Sequence, residues 1–167
     1  VQKFFDRLVG FSSGYNQGAH YKIFNIKNEE EEQINFACPI CYEDAFPSLC
    51  ASLHERGSDL LINLTNDSWS KTHSAEYQHF AISYFRAIEL RTPLVRSTNS
   101  GYTCVVDPWG NILADLPLFK EGVLNVEVPI YSRKTTPYAL FKDWLPTLLF
   151  IILMRYIWKS QKLYTKR

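Results

Sequence analysis

Cys38, Cys41, Glu43 and Asp44 fall together at the end of the run Ile34-Asn35-Phe36-Ala37-Cys38-Pro39-Ile40-Cys41-Tyr42-Glu43-Asp44. A short apolar run that stops in a thiol, an aromatic and two acids reads as a strand leaving its sheet. Strand ends of this kind carry ligand and catalytic groups in α/β folds. Cys41 is therefore a candidate nucleophile, with Glu43 close behind it. A free thiol, at pKa about 8.5, is mostly protonated near neutrality, and neighbouring acids disfavour the thiolate unless a cation intervenes. The stretch is thus an incomplete site that needs a base from elsewhere. His54, His73, His79 and Lys71 follow it at no diagnostic spacing.

Other chemistries compete for the same residues. Cys41 could be a core thiol acting as a small hydrophobe. Cys38-Pro39-Ile40-Cys41 formally matches a C-x-x-C redox pair, but that motif opens a helix, whereas here the helix begins only after Cys41. Cys38, Cys41, Cys50 and His54 number enough for zinc, yet the gap before Cys50 does not match a common finger.

The elements that must position these groups follow from periodicity. Val1 to His20 opens with an amphipathic piece (Phe4, Phe5, Leu8, Val9) and a loop rich in Gly, Ser and Asn. Tyr21 to Ile26 reads as a strand, Asn28 to Glu32 as a solvated hairpin turn, and Ile34 to Ile40 as the strand delivering Cys41. Phe46 to Arg56 reads as a helix, with Pro47 in its first turn and Gly57 past its end. Leu60 to Leu64 is a buried strand entering a polar loop with one large aromatic, Trp69.

Ser74 is the expected N-cap of a long helix ending at Leu90, with Glu76 in its first turn and a buried stripe of Tyr77, Ala81, Tyr84, Phe85 and Ile88. Leu94 to Arg96, Tyr102 to Val106, Asn111 to Ala114 and Val123 to Val128 read as strands, with Asp107-Pro108-Trp109-Gly110 as a type I turn. The expected class is mixed α/β, with one layer of helices on a sheet.

Composition narrows the function classes. The 167 residues are 46% hydrophobic and 21% charged, which fits one folded domain and not a disordered chain. A net charge of +1 gives no basic field for nucleic acid, and four cysteines are too few for a disulfide scaffold. Trp144 to Trp158 is almost wholly apolar and is followed by Lys159, Lys162, Lys166 and Arg167. With its interfacial aromatics it reads as a transmembrane helix with a basic cytoplasmic flank. The expected division is 1–132 for the α/β domain, 133–143 for a linker, 144–160 for the membrane helix and 161–167 for the tail.

Several ordered stretches together resemble one family. They are Ile40-Cys41-Tyr42-Glu43 with Phe46-Pro47, then Asn63-Leu64-Thr65-Asn66-Asp67-Ser68-Trp69. Gln78-His79 with Arg86-Ala87-Ile88-Glu89 follows, and then Val95-Arg96-Ser97-Thr98-Asn99-Ser100-Gly101. Asp107-Pro108-x-Gly110, Pro117-Leu118-Phe119-x-x-Gly122-Val123-Leu124 and Thr136-Pro137-Tyr138 with Phe141-x-Asp143-Trp144 complete the set. In this order they resemble the C-terminal part of the apolipoprotein N-acyltransferases, membrane members of the nitrilase (carbon–nitrogen hydrolase) superfamily. Cys38 stands where that family more often has glycine, and Ser70 where it often has an aromatic.

The resemblance implies the C-terminal half of a nitrilase-like α-β-β-α sandwich followed by one transmembrane helix. The protein would sit in a bacterial inner membrane, with the α/β domain periplasmic and the C-terminus cytoplasmic. The implied reaction passes an acyl chain from a phospholipid to the Cys41 thiol, then to the N-terminal amine of a diacylglyceryl-cysteine apolipoprotein. No cofactor, metal or nucleic acid is implied. Cys41 matches the nucleophile, Tyr42 and Glu43 the active-site motif, and Trp69 an aromatic lining the lipid-facing mouth. The backbone N–H of Tyr42 would help hold the oxyanion. The Glu and Lys of the family's triad have no match here, so the expectation is a missing N-terminal half and an inactive isolated chain. A soluble nitrilase-type amidase and a non-catalytic truncated remnant are the alternatives.

Overall fold

The computed structural model describes residues 18–142 and 144–164. The amphipathic piece around Phe4, Phe5, Leu8 and Val9 lies outside the described residues. Six strands form one sheet in chain order: β1 (Phe24–Lys27), β2 (Gln33–Ala37), β3 (Leu60–Asn66), β4 (Leu94–Asn99), β5 (Cys104–Val106) and β6 (Ile112–Asp115). β2, β3 and β4 are mutually parallel, while β1, β5 and β6 are antiparallel additions at the two sides. Parallel neighbours need crossover connections. These are α1 (Pro47–Glu55) between β2 and β3 and α2 (His73–Leu90) between β3 and β4.

Local chemistry explains most boundaries. The glutamate run turns between β1 and β2, where Asn28 Oδ1 accepts from the backbone N–H groups of Glu30 (3.0 Å) and Glu32 (2.8 Å). Pro47 opens α1, and Gly57 follows it at φ +107°, the left-handed region that glycine enters without strain. The N-cap of α2 is Thr72, not Ser74: Thr72 Oγ1 accepts from the Ala75 N–H at 3.3 Å, so the helix begins earlier than expected. The Asp107–Gly110 turn forms as expected, with Gly110 N–H donating to Asp107 O at 3.0 Å. Val123 to Val128 is not a strand: it has no ladder partner among the described residues, and Val123 is 92% exposed.

The face that α2 buries also differs from the expectation. Glu76, His79, Ser83, Arg86, Ala87 and Leu90 are buried, whereas Tyr77 and Phe85 are about half exposed and Ala81 is exposed. The reason lies in the sheet beneath. Asn63, Thr65 and Arg96 are buried polar side chains of β3 and β4, and the helix meets Arg96 with a polar group, Ser83. Further from those ends the core is apolar: Ala37, Leu61, Leu94 and Val106 meet Ala51, Leu53, Ala87 and Leu90. Burying a leucine such as Leu61, Leu90 or Leu94 is worth roughly 1.5–3 kcal/mol. Along β3 the alternate residues Ile62, Leu64 and Asn66 are partly or fully exposed, leaving the other sheet face open.

The stretch expected as a linker contains α3 (Pro137–Phe141), whose Ala139 is buried and whose N-cap, Thr136, donates a hydrogen bond to the Glu89 carbonyl of α2. α4 (Trp144–Tyr164) is helical over 21 residues, with exposed apolar side chains. Here the membrane expectation is corrected: among the described residues, no helix is long and apolar enough to cross a membrane. The uninterrupted apolar run is only Leu148 to Met154, between Thr147 and Arg155. That is about 10 Å of helix against a hydrocarbon core of about 30 Å. The charge argument that put the C-terminus in the cytoplasm rested on that span and loses its basis with it.

Candidate active site

The C-terminal ends of β2, β3 and β4 converge on one side of the sheet, where an open groove of about 570 Å³ is lined by Ile40, Cys41, Leu64, Thr65, Asn66 and the 97–99 segment. After β2 the chain makes a single parallel bridge, Ile40 to Leu64, and then turns into a 3-10 helix over Cys41–Ala45. Cys41 is the pivot of that turn. Its φ is +51°, a left-handed conformation that costs a non-glycine residue roughly 1–3 kcal/mol and persists only where surrounding contacts impose it. The thiol stands half-buried at the groove, on the first residue of the 3-10 turn.

Two side chains impose the conformation. Asn63 of β3 is fully buried, and its Nδ2 donates to the carbonyls on either side of the pivot, Pro39 O at 3.1 Å and Cys41 O at 2.8 Å. Glu43 folds back so that its Oε2 accepts from the Ile40 N–H at 2.7 Å. Glu43 therefore braces the turn through the backbone; its carboxylate is committed to that N–H. Tyr42 is half exposed, with its ring centroid 4.9 Å from that of His79 and 6.3 Å from that of Phe46. Its N–H lies in the first turn of the 3-10 helix, where backbone donors have no partner inside the helix. Trp69, 75% exposed on the loop after β3, does not line the groove.

Beneath the turn lies a buried charged cluster. Asp44 is fully buried and pairs with Arg96 Nη1, which also donates to Ser83 Oγ at 2.5 Å. His79 bridges two carboxylates, with Nε2 2.9 Å from Asp44 Oδ1 and Nδ1 2.8 Å from Asp67 Oδ1. Arg96 Nη2 approaches Asp67 Oδ2 at 3.8 Å. Burial opposes charge on His79, but the bonds to Asp44 and Asp67 prevail over it and over Arg96, and hold its pKa above the ordinary imidazole value. Burial raises the carboxyl of Glu76, which accepts from Ser70 at 2.8 Å. Burial, and then Glu43, raise the Cys38 thiol, and burial pushes Cys50 up to about 12.

The structure thus brings Cys41, Tyr42 and Glu43 to one turn and leaves Trp69 on a separate loop. Asn63, Asp44, Asp67 and Arg96 are not singled out for a role from sequence, and His79 is there only one of four candidate bases at no diagnostic spacing. An Asn within a buried strand and a helix face with three ionisable residues were the available signals. Among the described residues no His/Cys/Asp/Glu cluster could hold a metal ion, and His54 bonds to Thr92 Oγ1 at 2.9 Å.

The carbon-nitrogen hydrolase family model matches residues 17–138. Apolipoprotein N-acyltransferase 2 of Treponema denticola is 62% identical over 154 residues, covering 92% of this chain and 29% of that protein. Apolipoprotein N-acyltransferase 2 of Treponema pallidum is 53% identical, covering 91% and 27%. The chain therefore spans less than a third of the length of these curated relatives. Among solved structures, a branch 10 nitrilase-superfamily member from Saccharomyces cerevisiae aligns with a TM-score of 0.49 at 20% identity, covering 66% of this chain and 41% of that one. With most of its residues matched, from the segment before β1 to the start of α3, this chain belongs to the carbon–nitrogen hydrolase family.

Proposed function

We propose that this chain is the C-terminal part of the catalytic domain of an apolipoprotein N-acyltransferase, and that Cys41 is its acyl carrier. The observation that carries the reading is Cys41 itself, a thiol in a strained left-handed turn at the open end of three parallel strands. In this reading the thiolate attacks an ester carbonyl of a phospholipid. The S–C bond forms, the C–O bond to glycerol breaks, and the lysophospholipid leaves with a proton. The α-amine of a diacylglyceryl-cysteine then attacks the thioester. The N–C bond forms, the C–S bond breaks and the thiol is restored. The Tyr42 N–H stabilises the oxyanion in both halves, a contribution commonly worth about 3–4 kcal/mol. Glu43 holds the turn, and exposed Trp69 meets the lipid chain.

Deprotonating the thiol requires a base, and the oxyanion requires a cation. The described residues lining the groove include neither a lysine nor a histidine. Both groups come, in this reading, from an N-terminal half that also covers the open sheet face and completes an α-β-β-α sandwich. Contact with a bacterial inner membrane rests on the donor's chemistry and on the apolar side chains exposed on α4.

A chimera tests the reading. The matched C-terminal segment of the Treponema denticola relative is replaced by this chain, and the product is incubated with phospholipid and a diacylglyceryl-cysteine peptide. Intact-mass analysis should find a thioester on Cys41 and N-acylated peptide, with both lost in Cys41→Ala. The 167-residue chain alone should show neither. A chimera that N-acylates the peptide with Cys41 replaced would overturn the assignment.

A further inference from the structure

The cluster below Cys41 poses a proton-counting problem. Asp44 and Asp67 both stand beside the Arg96 guanidinium, and a carboxylate so paired only accepts hydrogen bonds. Both ring nitrogens of His79 face such an oxygen at hydrogen-bond distance. A neutral imidazole donates from one nitrogen only, so its other lone pair would point at a carboxylate oxygen inside a buried site. With a proton on each nitrogen both contacts are satisfied. Two carboxylates, Asp44 and Asp67, then face two cations, Arg96 and His79.

The same bonds join separate segments. Asp44 lies within the nucleophile turn, Asp67 begins the loop carrying Trp69, and Arg96 belongs to β4. The Asp67 N–H donates to Asn99 O at 3.0 Å, and a Cβ on Gly101 would come within 2.3 Å of Asp67 Oδ2, so the 99–101 segment is packed onto the same carboxylate.

We propose that His79 is a doubly protonated clamp, bonded at once to Asp44 and Asp67, that positions Cys41 by locking the nucleophile turn to the Trp69 loop. His79 is a positioning residue; it donates to neither thiol nor substrate. The groups facing it are Tyr42 and Asp44 from the 3-10 turn, Asp67 from the loop, Glu76 from its own helix and Arg96 from β4. Burial raises the Glu76 carboxyl above its ordinary value, and Asp67 beside it adds to the rise. The inference deepens the reading of Cys41 as acyl carrier and rests on it for its functional meaning.

The test uses the 167-residue chain in detergent micelles and reads the imidazole nitrogens of His79 by NMR. The expected spectrum at about pH 7.5 is that of an imidazolium, where an unperturbed histidine is mostly neutral. Asp67→Asn, which leaves the nucleophile turn itself unaltered, should lower the titration midpoint by about one unit, tenfold in the protonation equilibrium. It should also change the iodoacetamide alkylation rate of Cys41, in a Cys38→Ser background, by about threefold or more. A neutral-tautomer spectrum at that pH would overturn the proposal without any variant. An alkylation profile in Asp67→Asn identical to the parent's would overturn the positioning role. Failure of acyl transfer in the chimera moves neither readout, so the two readings fail separately.

Discussion

At the scale of single residues, the site depends on how a strained backbone is held at Cys41. Left-handed φ at a cysteine is unfavourable by itself, and Asn63 supplies two donors to the carbonyls flanking it. Asn63→Ala would strip both carbonyls of this partner inside a buried site, a loss of about 1–3 kcal/mol. The expected outcome is a lowered urea midpoint together with slower alkylation of Cys41, since the thiol would no longer be fixed at the groove. Asn63→Ala with normal stability and normal alkylation would show that the turn holds its conformation without this brace. Sequence identified Cys41 from its place at the end of an apolar run. It could not identify Asn63, because an Asn two turns of logic away in another strand has no local signature; only the parallel pairing of β2 with β3 brings it under the pivot.

At the scale of elements, α2 decides the electrostatics. Its inward face carries His79, Ser83 and Arg86; Ser83 meets Arg96 of β4, and His79 meets Asp44 and Asp67. This makes stability depend on pH with a definite sign. The folded-state pKa of His79 is raised above its ordinary 6.5, so its contribution is fully present below 6.5 and is lost as pH rises through the folded value. His54 is shifted the other way by burial, but its effect is confined below 6.5, while the raised thiols Cys38, Cys50 and Cys104 act only above 9.0. Between those limits the melting midpoint should fall as pH rises, and His79→Gln should flatten that slope. A midpoint in the parent that is constant or rises across this window would contradict the clamp. Helical periodicity did locate α2, yet it assigned the wrong face, because hydrophobic patterning assumes that what is buried is apolar.

At the scale of the whole molecule, the sheet and α4 behave as separate parts. α3 is pinned to α2 through Thr136 and Ala139, whereas α4 carries its apolar side chains exposed from Trp144 to Trp158. Deleting residues 144–167 should therefore move the thermal midpoint of the sheet by less than about 3 °C, the shift that roughly 1 kcal/mol gives at this chain length. A larger loss would mean that α4 supports the domain. The open sheet face, with Leu64 and Ile40 exposed beside Cys41, should in turn make the isolated chain prone to association until a second layer covers it.

The sequence by itself determined the order of strands and helices from β1 to β6, the hairpin turns and the place of Cys41, because these follow from local patterns of apolar, turn-forming and capping residues. It also determined the family, through motifs kept in order along nearly the whole chain. The tertiary structure alone decided that Glu43 braces backbone, that α2 buries ionisable groups, and that residues 123–128 pair with nothing among the described residues. Each of these depends on which groups from distant parts of the chain meet, and partners far apart in sequence leave no periodicity to read.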